Sequence, residues 1–203
     1  MGISLDTVRK LREETLAGVL DCKKALIEAK GNIPEAKKIL RRRGIKIAEK
    51  KSGEKTAQGV IASYVHHDRK VGVLVEIHSQ SDFVARNTEL QSFAKDVAMH
   101  IAAFDPQWIS PEEIPISVLK EEKDILRDEA EKEGKPQHIL EKIVEGRLRK
   151  FHARVCLLEQ PFFRDDKKKV IDCLRELIVK VGENVKIDRF VRYKLREDHE
   201  STE

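Results

Sequence analysis

Val60-Ile61-Ala62-Ser63-Tyr64-Val65 and Val71-Gly72-Val73-Leu74-Val75-Glu76-Ile77, separated by His66-His67-Asp68-Arg69-Lys70, decide the fold class. Both runs are rich in β-branched residues, and the five between them are polar, so the stretch predicts a β-hairpin. Downstream the period changes. Leu90, Phe93, Ala94, Val97, Ile101 and Phe104 recur at helical spacing, after a start near Asn87 or Thr88. A Pro-punctuated loop covers Asp105 to Pro115, and a charged helix carrying Leu119 and Leu126 runs from Ser117 toward Gly134. Leu140, Ile143, Val144 and Leu148 mark another helix, which ends before Glu159-Gln160-Pro161. Val170, Leu174, Leu177, Ile178 and Val181 mark the last, stopped by Gly182. Val185, Ile187, Val191, Tyr193 and Leu195 share strand parity, with Arg189 the one interruption.

Upstream of the hairpin the chain reads as three short helices. Ser4 can cap the first, with Asp6 in its first turn and Leu5, Val8 and Leu11 as its apolar stripe. It should fade near Thr15-Leu16-Ala17-Gly18. Cys22, Ala25, Leu26 and Ala29 form the face of the second, which Lys30-Gly31-Asn32 ends. Asn32 can cap the third, with Pro34 in the first turn, Glu35 at the capping-box position, and Ala36, Ile39 and Leu40 inside. Gly44 is expected to close it. Residues 46–57, rich in Lys and Glu, read as a charged linker, helical in part. The expected organisation is a three-helix module over 1–45, the linker, and a core over 58–203. The class is α+β, with a small antiparallel sheet packed by helices.

Composition narrows the function. Of 203 residues 40% are hydrophobic and only 5% aromatic, so the core is aliphatic. Charged residues reach 37%, above the usual quarter, but 40 Lys and Arg face 36 Asp and Glu. A net charge of +4 is too small to argue for nucleic acid. Cys22, Cys156 and Cys173 lack metal-site or redox spacing, which points to free thiols in a reducing compartment. No apolar run approaches a membrane span, Met1-Gly2 opens no apolar signal core, and Asp6 stands where a myristoylation motif needs Ser or Thr. A soluble cytoplasmic protein is expected.

Catalytic constellations are hard to find. The chain has no Gly-rich phosphate loop followed by Lys and no Gly-flanked nucleophilic Ser. Seven histidines are scattered; His66 and His67 sit together only in the hairpin turn, without the partners a metal needs. Glu112-Glu113 and Asp165-Asp166 lie in polar loops with nothing to set their environments apart. Arg41-Arg42-Arg43 and Lys167-Lys168-Lys169 lack interleaved aromatics and read as solvated helix faces or ends. Thus no enzyme, cofactor or metal site is expected. Two features stand out. Leu20 and Ile27 fall off the stripe of the second helix. Ser79-Gln80-Ser81-Asp82-Phe83-Val84 breaks from a polar turn into Phe-Val directly after the hairpin. On its own, this segment reads most simply as a turn in which Asp82 caps and Phe83 fills the core.

Val8-Arg9-Lys10-Leu11-Arg12-Glu13-Glu14-Thr15, Gly18-Val19-Leu20-Asp21-Cys22-Lys23-Lys24-Ala25-Leu26 and Gln80-Ser81-Asp82-Phe83-Val84-Ala85-Arg86 resemble signatures of the translation elongation factor Ts family. So do Glu141-Lys142-Ile143-Val144-Glu145-Gly146-Arg147-Leu148 and Leu157-Leu158-Glu159-Gln160-Pro161-Phe162, in the expected order, from about Val8 to Phe190. The resemblance implies a ubiquitin-associated-type N-terminal module that docks on the GTPase domain of elongation factor Tu, and a core that reaches that domain and a more distal one. It implies that Asp82 and Phe83, flanked by Ser81 and Val84, wedge beside the switch helices and disturb the Mg²⁺ and phosphate-loop site, so that GDP leaves. Arg9, Arg12, Val19 and Leu20 match docking positions of the module, and Lys51 a contact in the linker. Departures are Ser81 where Thr is usual, His78-Ser79 for Asn-Cys, and Leu16 where Gly is common. One core repeat without a long coiled-coil insertion implies a compact member, which suggests a homodimer. The competing reading is a nucleic-acid- or ribosome-associated adaptor that uses the two basic runs.

Overall fold

The computed structural model describes residues 3–15, 17–134 and 136–195; Met1, Gly2 and Leu16, used above, lie outside them. Three helices open the chain: α1 (Leu5–Thr15), α2 (Val19–Glu28) and α3 (Ile33–Lys51). Their ends follow local chemistry. Ser4 Oγ accepts the Thr7 N–H at 3.2 Å, and Asn32 Oδ1 accepts the Glu35 N–H at 3.0 Å. Lys30 (φ 51°) and Gly31 (φ 84°) turn the chain through the left-handed region after α2. Val8, Leu11, Cys22, Ala25, Leu26, Ala29, Ala36 and Ile39 form one buried cluster, with Leu40 half-buried against it. Leu5, read with the first stripe, is instead exposed, one turn before Val8 at the open start of α1.

α3 does not stop at Gly44. It continues through the charged stretch to Lys51, and Ala48 on its last turns is 4% exposed. A glycine inside a helix costs about 1 kcal/mol relative to alanine, which burial of Ala48 can offset. A Cβ at Gly44 would stand 3.4 Å from Val179 Cγ2, an ordinary packing distance, so α3 passes Val179 without needing a glycine there.

The hairpin forms as expected from β1 (Gln58–Val65) and β2 (Val71–Ser79), and β5 (Val185–Lys194) completes a sheet of order β1-β2-β5. The His66 N–H donates to the Val71 carbonyl at 2.8 Å, and the Leu195 N–H to that of Lys70 at 2.9 Å, so both outer strands run antiparallel to β2. A single-turn helix, α4 (Asp82–Ala85), precedes α5 (Thr88–Phe104). Then come α6 (Ile116–Lys132), α7 (Gln137–Val155), a small pair of β3 (Pro161–Phe162) with β4 (Asp165–Lys169), and α8 (Val170–Val181). The architecture is α+β.

By contact density the chain divides into two units. The first holds Met1–Val60, Ile77–Phe93 and Leu174–Lys186; the second holds Ile61–Glu76, Ala94–Cys173 and Ile187–Glu203. In the second unit α6 and α7 pair as a helical hairpin of 17 and 19 residues, tied by Arg127 to Glu141 and by Arg147 to Glu129 and Glu133. Leu126, Ala130, Leu140, Val144 and Phe151 form its buried seam. This pair is more prominent than the large apolar residues of Ser117–Gly134 suggested, because the small Ala130 is fully buried in it with Leu126.

Two assignments change, and one short strand has no counterpart in the sequence reading. Lys167-Lys168-Lys169 lies on strand β4, not on a helix. The two-residue strand β3 carries too little sequence to show a period. In β5 the shared parity does not mean a shared environment: Val185 and Ile187 are each 2% exposed, whereas Val191 and Tyr193 lie in solvent. Burial switches parity after Ile187, and Arg192 turns inward to donate to the Ala102 carbonyl at 3.1 Å. Arg189, the one interruption in the pattern, marks that switch.

Candidate functional site

The segment that resisted a simple reading is a helix of one turn set on a built platform. Ser81 caps it in extended conformation (φ −119°, ψ 155°), its Oγ accepting the Val84 N–H at 3.2 Å. The cap is therefore Ser81, with Asp82 in the first turn, where a carboxylate suits the helix dipole. Val84 and Ala85, 2% and 6% exposed, are driven into the core. Phe83 lies on the opposite side and is 80% exposed, so it does not fill the core. Asp82, also exposed, pairs with Arg86, Oδ2 to the guanidinium at 2.9 Å. A surface ion pair of this kind contributes little to stability.

Beneath this turn lies a polar network that the sequence reading missed. Ser81 donates its N–H to Glu183 Oε2 at 3.0 Å and its hydroxyl to the same carboxylate at 2.8 Å. Asn184, 5% exposed, donates to the carbonyls of Ser52 at 3.3 Å and Glu54 at 2.8 Å. Gln80 Nε2 reaches the Glu54 carboxylate, which also lies 3.8 Å from Lys51 Nζ. Ser79 Oγ donates to the Ser81 carbonyl at 3.0 Å. Lys51 is thereby brought into the neighbourhood of Ser81 through Glu54 and Gln80. The available signal was Gly182-Glu183-Asn184, a left-handed glycine (φ 76°) followed by two hydrogen-bonding side chains; it was used only as a helix stop.

The other sequence candidates lie on the three-helix module. Arg9 and Arg12 are exposed on α1, one turn apart. Val19 and Leu20 open α2, 49% and 71% exposed, and Ile27 on the same helix is 58% exposed. Among the candidates Val84 alone is buried, so it anchors the turn from below and presents no side chain to a partner.

The cysteines are free thiols. Burial, then the charges of Glu159, Glu112 and Glu113, push Cys156 up to about 11, so it stays a protonated core residue.

The family model described as "Elongation factor TS" matches residues 4–197. The chain belongs to the elongation factor Ts family. The elongation factor Ts of Thermosipho melanesiensis is 48% identical over 195 residues, covering 96% of this chain and all of that protein. That of Acetivibrio thermocellus is 50% identical over 191 residues, covering 94% of this chain and 89% of its own length. That of Thermotoga neapolitana is 48% identical over 198 residues, covering 98% of this chain and all of its own. As a member of the elongation factor Ts family the chain is a factor of translation elongation in protein biosynthesis. Among the described residues no helix is long and apolar enough to cross a membrane.

Proposed function

We propose that the chain is a guanine-nucleotide exchange factor: it binds elongation factor Tu, GDP-bound or nucleotide-free, and promotes release of GDP without itself catalysing a covalent reaction. The observation that carries this reading is Phe83, an aromatic ring held in water on a capped and buttressed turn. A GTPase grips its nucleotide through the backbone N–H groups of the phosphate loop and through Mg²⁺. Phe83, with Asp82 beside it, enters next to the switch helices and is buried only when those groups have moved. Linkage makes the effect reciprocal: a factor that binds the open site better weakens the nucleotide by the same coupling energy, and about 3 kcal/mol is roughly a hundredfold. Arg9, Arg12, Val19 and Leu20 serve as the first docking surface on the GTPase domain, which gives exposed Leu20 a partner, and Lys51 adds a contact at the end of α3.

The chain works as a homodimer in this reading. Ile61, Val65, Leu74, Val191 and Tyr193 are 66%, 63%, 49%, 39% and 73% exposed on the sheet in the second unit. Arg192 turns toward the α5 carbonyl of Ala102, so by strand alternation Val191 and Tyr193 point away from that helix. A second copy supplies the same apolar strip, as two-fold pairing requires.

The adaptor reading loses support from the surroundings of the basic runs. Arg43 pairs with Glu28 at 2.6 Å and Lys169 with Glu159 at 2.6 Å. Stopped-flow release of fluorescent GDP from elongation factor Tu, against excess unlabelled GDP, tests the choice. Acceleration that rises with factor concentration is expected. No acceleration, together with RNA binding that falls steeply with salt, sinks the exchange reading.

A further inference from the structure

The turn Gly182-Glu183-Asn184, between α8 and β5, holds two other segments of the first unit at once. On one side Ser81 gives Glu183 both of its protons: the N–H to Oε2 at 3.0 Å and the hydroxyl to Oε1 at 2.8 Å, with Oε2 at 2.9 Å. The hydroxyl has a single proton, so once it is spent on Glu183 its lone pairs face the Val84 N–H. The carboxylate therefore fixes the backbone of Ser81 and also the direction of its cap. A helix of four residues has no cooperative stability of its own. Its axis, and with it the direction of Phe83, is set by what holds its ends. Val84 and Ala85 hold it from below, and Ser81 holds its start. On the other side Asn184 binds the carbonyls of Ser52 and Glu54, and Gln80 closes back onto the Glu54 carboxylate.

We propose that Glu183 is a positioning residue for Phe83, acting through Ser81, and that Asn184 extends the same clamp to the segment just after α3, next to Lys51 at the end of that helix. Its consequence for nucleotide release rests on the exchange reading above; the clamp itself does not. Glu183 touches no partner. It fixes the angle at which the aromatic ring is presented, so the free protein needs no reordering of this turn when it docks.

The test uses the full chain, with Glu183→Ala, Glu183→Gln, Ser81→Ala and Ser81→Thr. Amide hydrogen exchange followed by NMR reads the clamp without any partner. In Glu183→Ala the Ser81 and Val84 amides are expected to exchange on the order of tenfold faster, the worth of a charge-assisted hydrogen bond, while amides in the middle of α5 keep their protection. Glu183→Gln, which retains one acceptor oxygen, falls between, and Ser81→Thr, which keeps the hydroxyl, resembles the wild type. In GDP release, Glu183→Ala and Ser81→Ala each lose about tenfold in kcat/KM. Combined with Phe83→Ala, Glu183→Ala adds no further loss, because a residue that acts by aiming the ring has nothing left to aim. Unchanged Ser81 and Val84 amides overturn the proposal, and so does an equal loss with and without Phe83. Wild type that fails to speed release while the amides respond overturns the exchange reading and leaves the clamp standing. If Glu183→Ala melts early as a whole, Ser81→Ala removes the hydroxyl contacts from the other side while the backbone N–H at 81 stays on the carboxylate, and it is scored by the Val84 amide and by the same release outcomes.

Discussion

At Phe83 the fold leaves an aromatic ring in water while burying the two residues that follow it, so the exposure follows from the cap and the anchors, not from loose packing. The converse case is His100, fully buried and stacked on Phe104 with ring centroids 4.6 Å apart. Gln160 donates its amide to the Arg154 carbonyl at 2.8 Å, so its oxygen must accept from His100 Nε2 at 2.9 Å. That leaves Nδ1 unprotonated and without a partner. Burial lowers the pKa of this histidine, with the Gln160 contact opposing. The sign follows directly: below about pH 6.5, the ordinary value, the unfolded chain takes up a proton that the native chain refuses. Stability is therefore full above that pH and falls as pH drops through the window toward the lowered native value. In thermal melts between pH 7.5 and pH 5 (on the order of one titration window around the ordinary value), the wild type should lose stability more steeply than His100→Gln. Equal slopes would refute the assignment.

At the scale of elements, Gly59 in β1 is required by close approach. A methyl there would run into the Ile77 carbonyl oxygen of β2, with His78 Cα 3.1 Å away. Gly59→Ala should force the strands apart and cost about 1–3 kcal/mol, seen as a lower melting temperature; an unchanged melt would contradict this close pairing. Most elements were legible for definite reasons. Ser4, Asn32 and Gly182 are end signals that act locally, and the stripe Cys22–Ala25–Leu26–Ala29 repeats often enough to reveal its face. What was not legible depended on distant partners. Gly44 looks like a helix end in the sequence, because the burial of Ala48 that carries α3 onward to Lys51 is not encoded in the local pattern. The platform under Phe83 joins Ser81 to Glu183 across 102 positions, and no local period encodes that. The Asp-Phe pair itself was visible only through resemblance, since one phenylalanine after a polar turn usually goes inside.

At the scale of the whole molecule, nucleotide exchange by a homodimer requires two surfaces on one chain, one for a GTPase and one for its own copy. If the strip of Ile61, Leu74 and Tyr193 pairs two copies, sedimentation equilibrium should give twice the chain mass for wild type, and Leu74→Lys with Tyr193→Lys should shift it toward the monomer. A monomeric wild type at micromolar concentration would remove the homodimer from the account. The central claim concerns Phe83. Being exposed, it can be truncated at a cost to stability within about 0.5 kcal/mol, so a change in activity cannot be blamed on the fold. The decisive measurement is GDP release from elongation factor Tu with wild type and Phe83→Ala side by side, over a range of concentrations. Rapid release is expected with wild type, and a loss on the order of tenfold or more in kcat/KM for the variant, with unchanged melting. A variant that exchanges nucleotide as fast as wild type would contradict the claim.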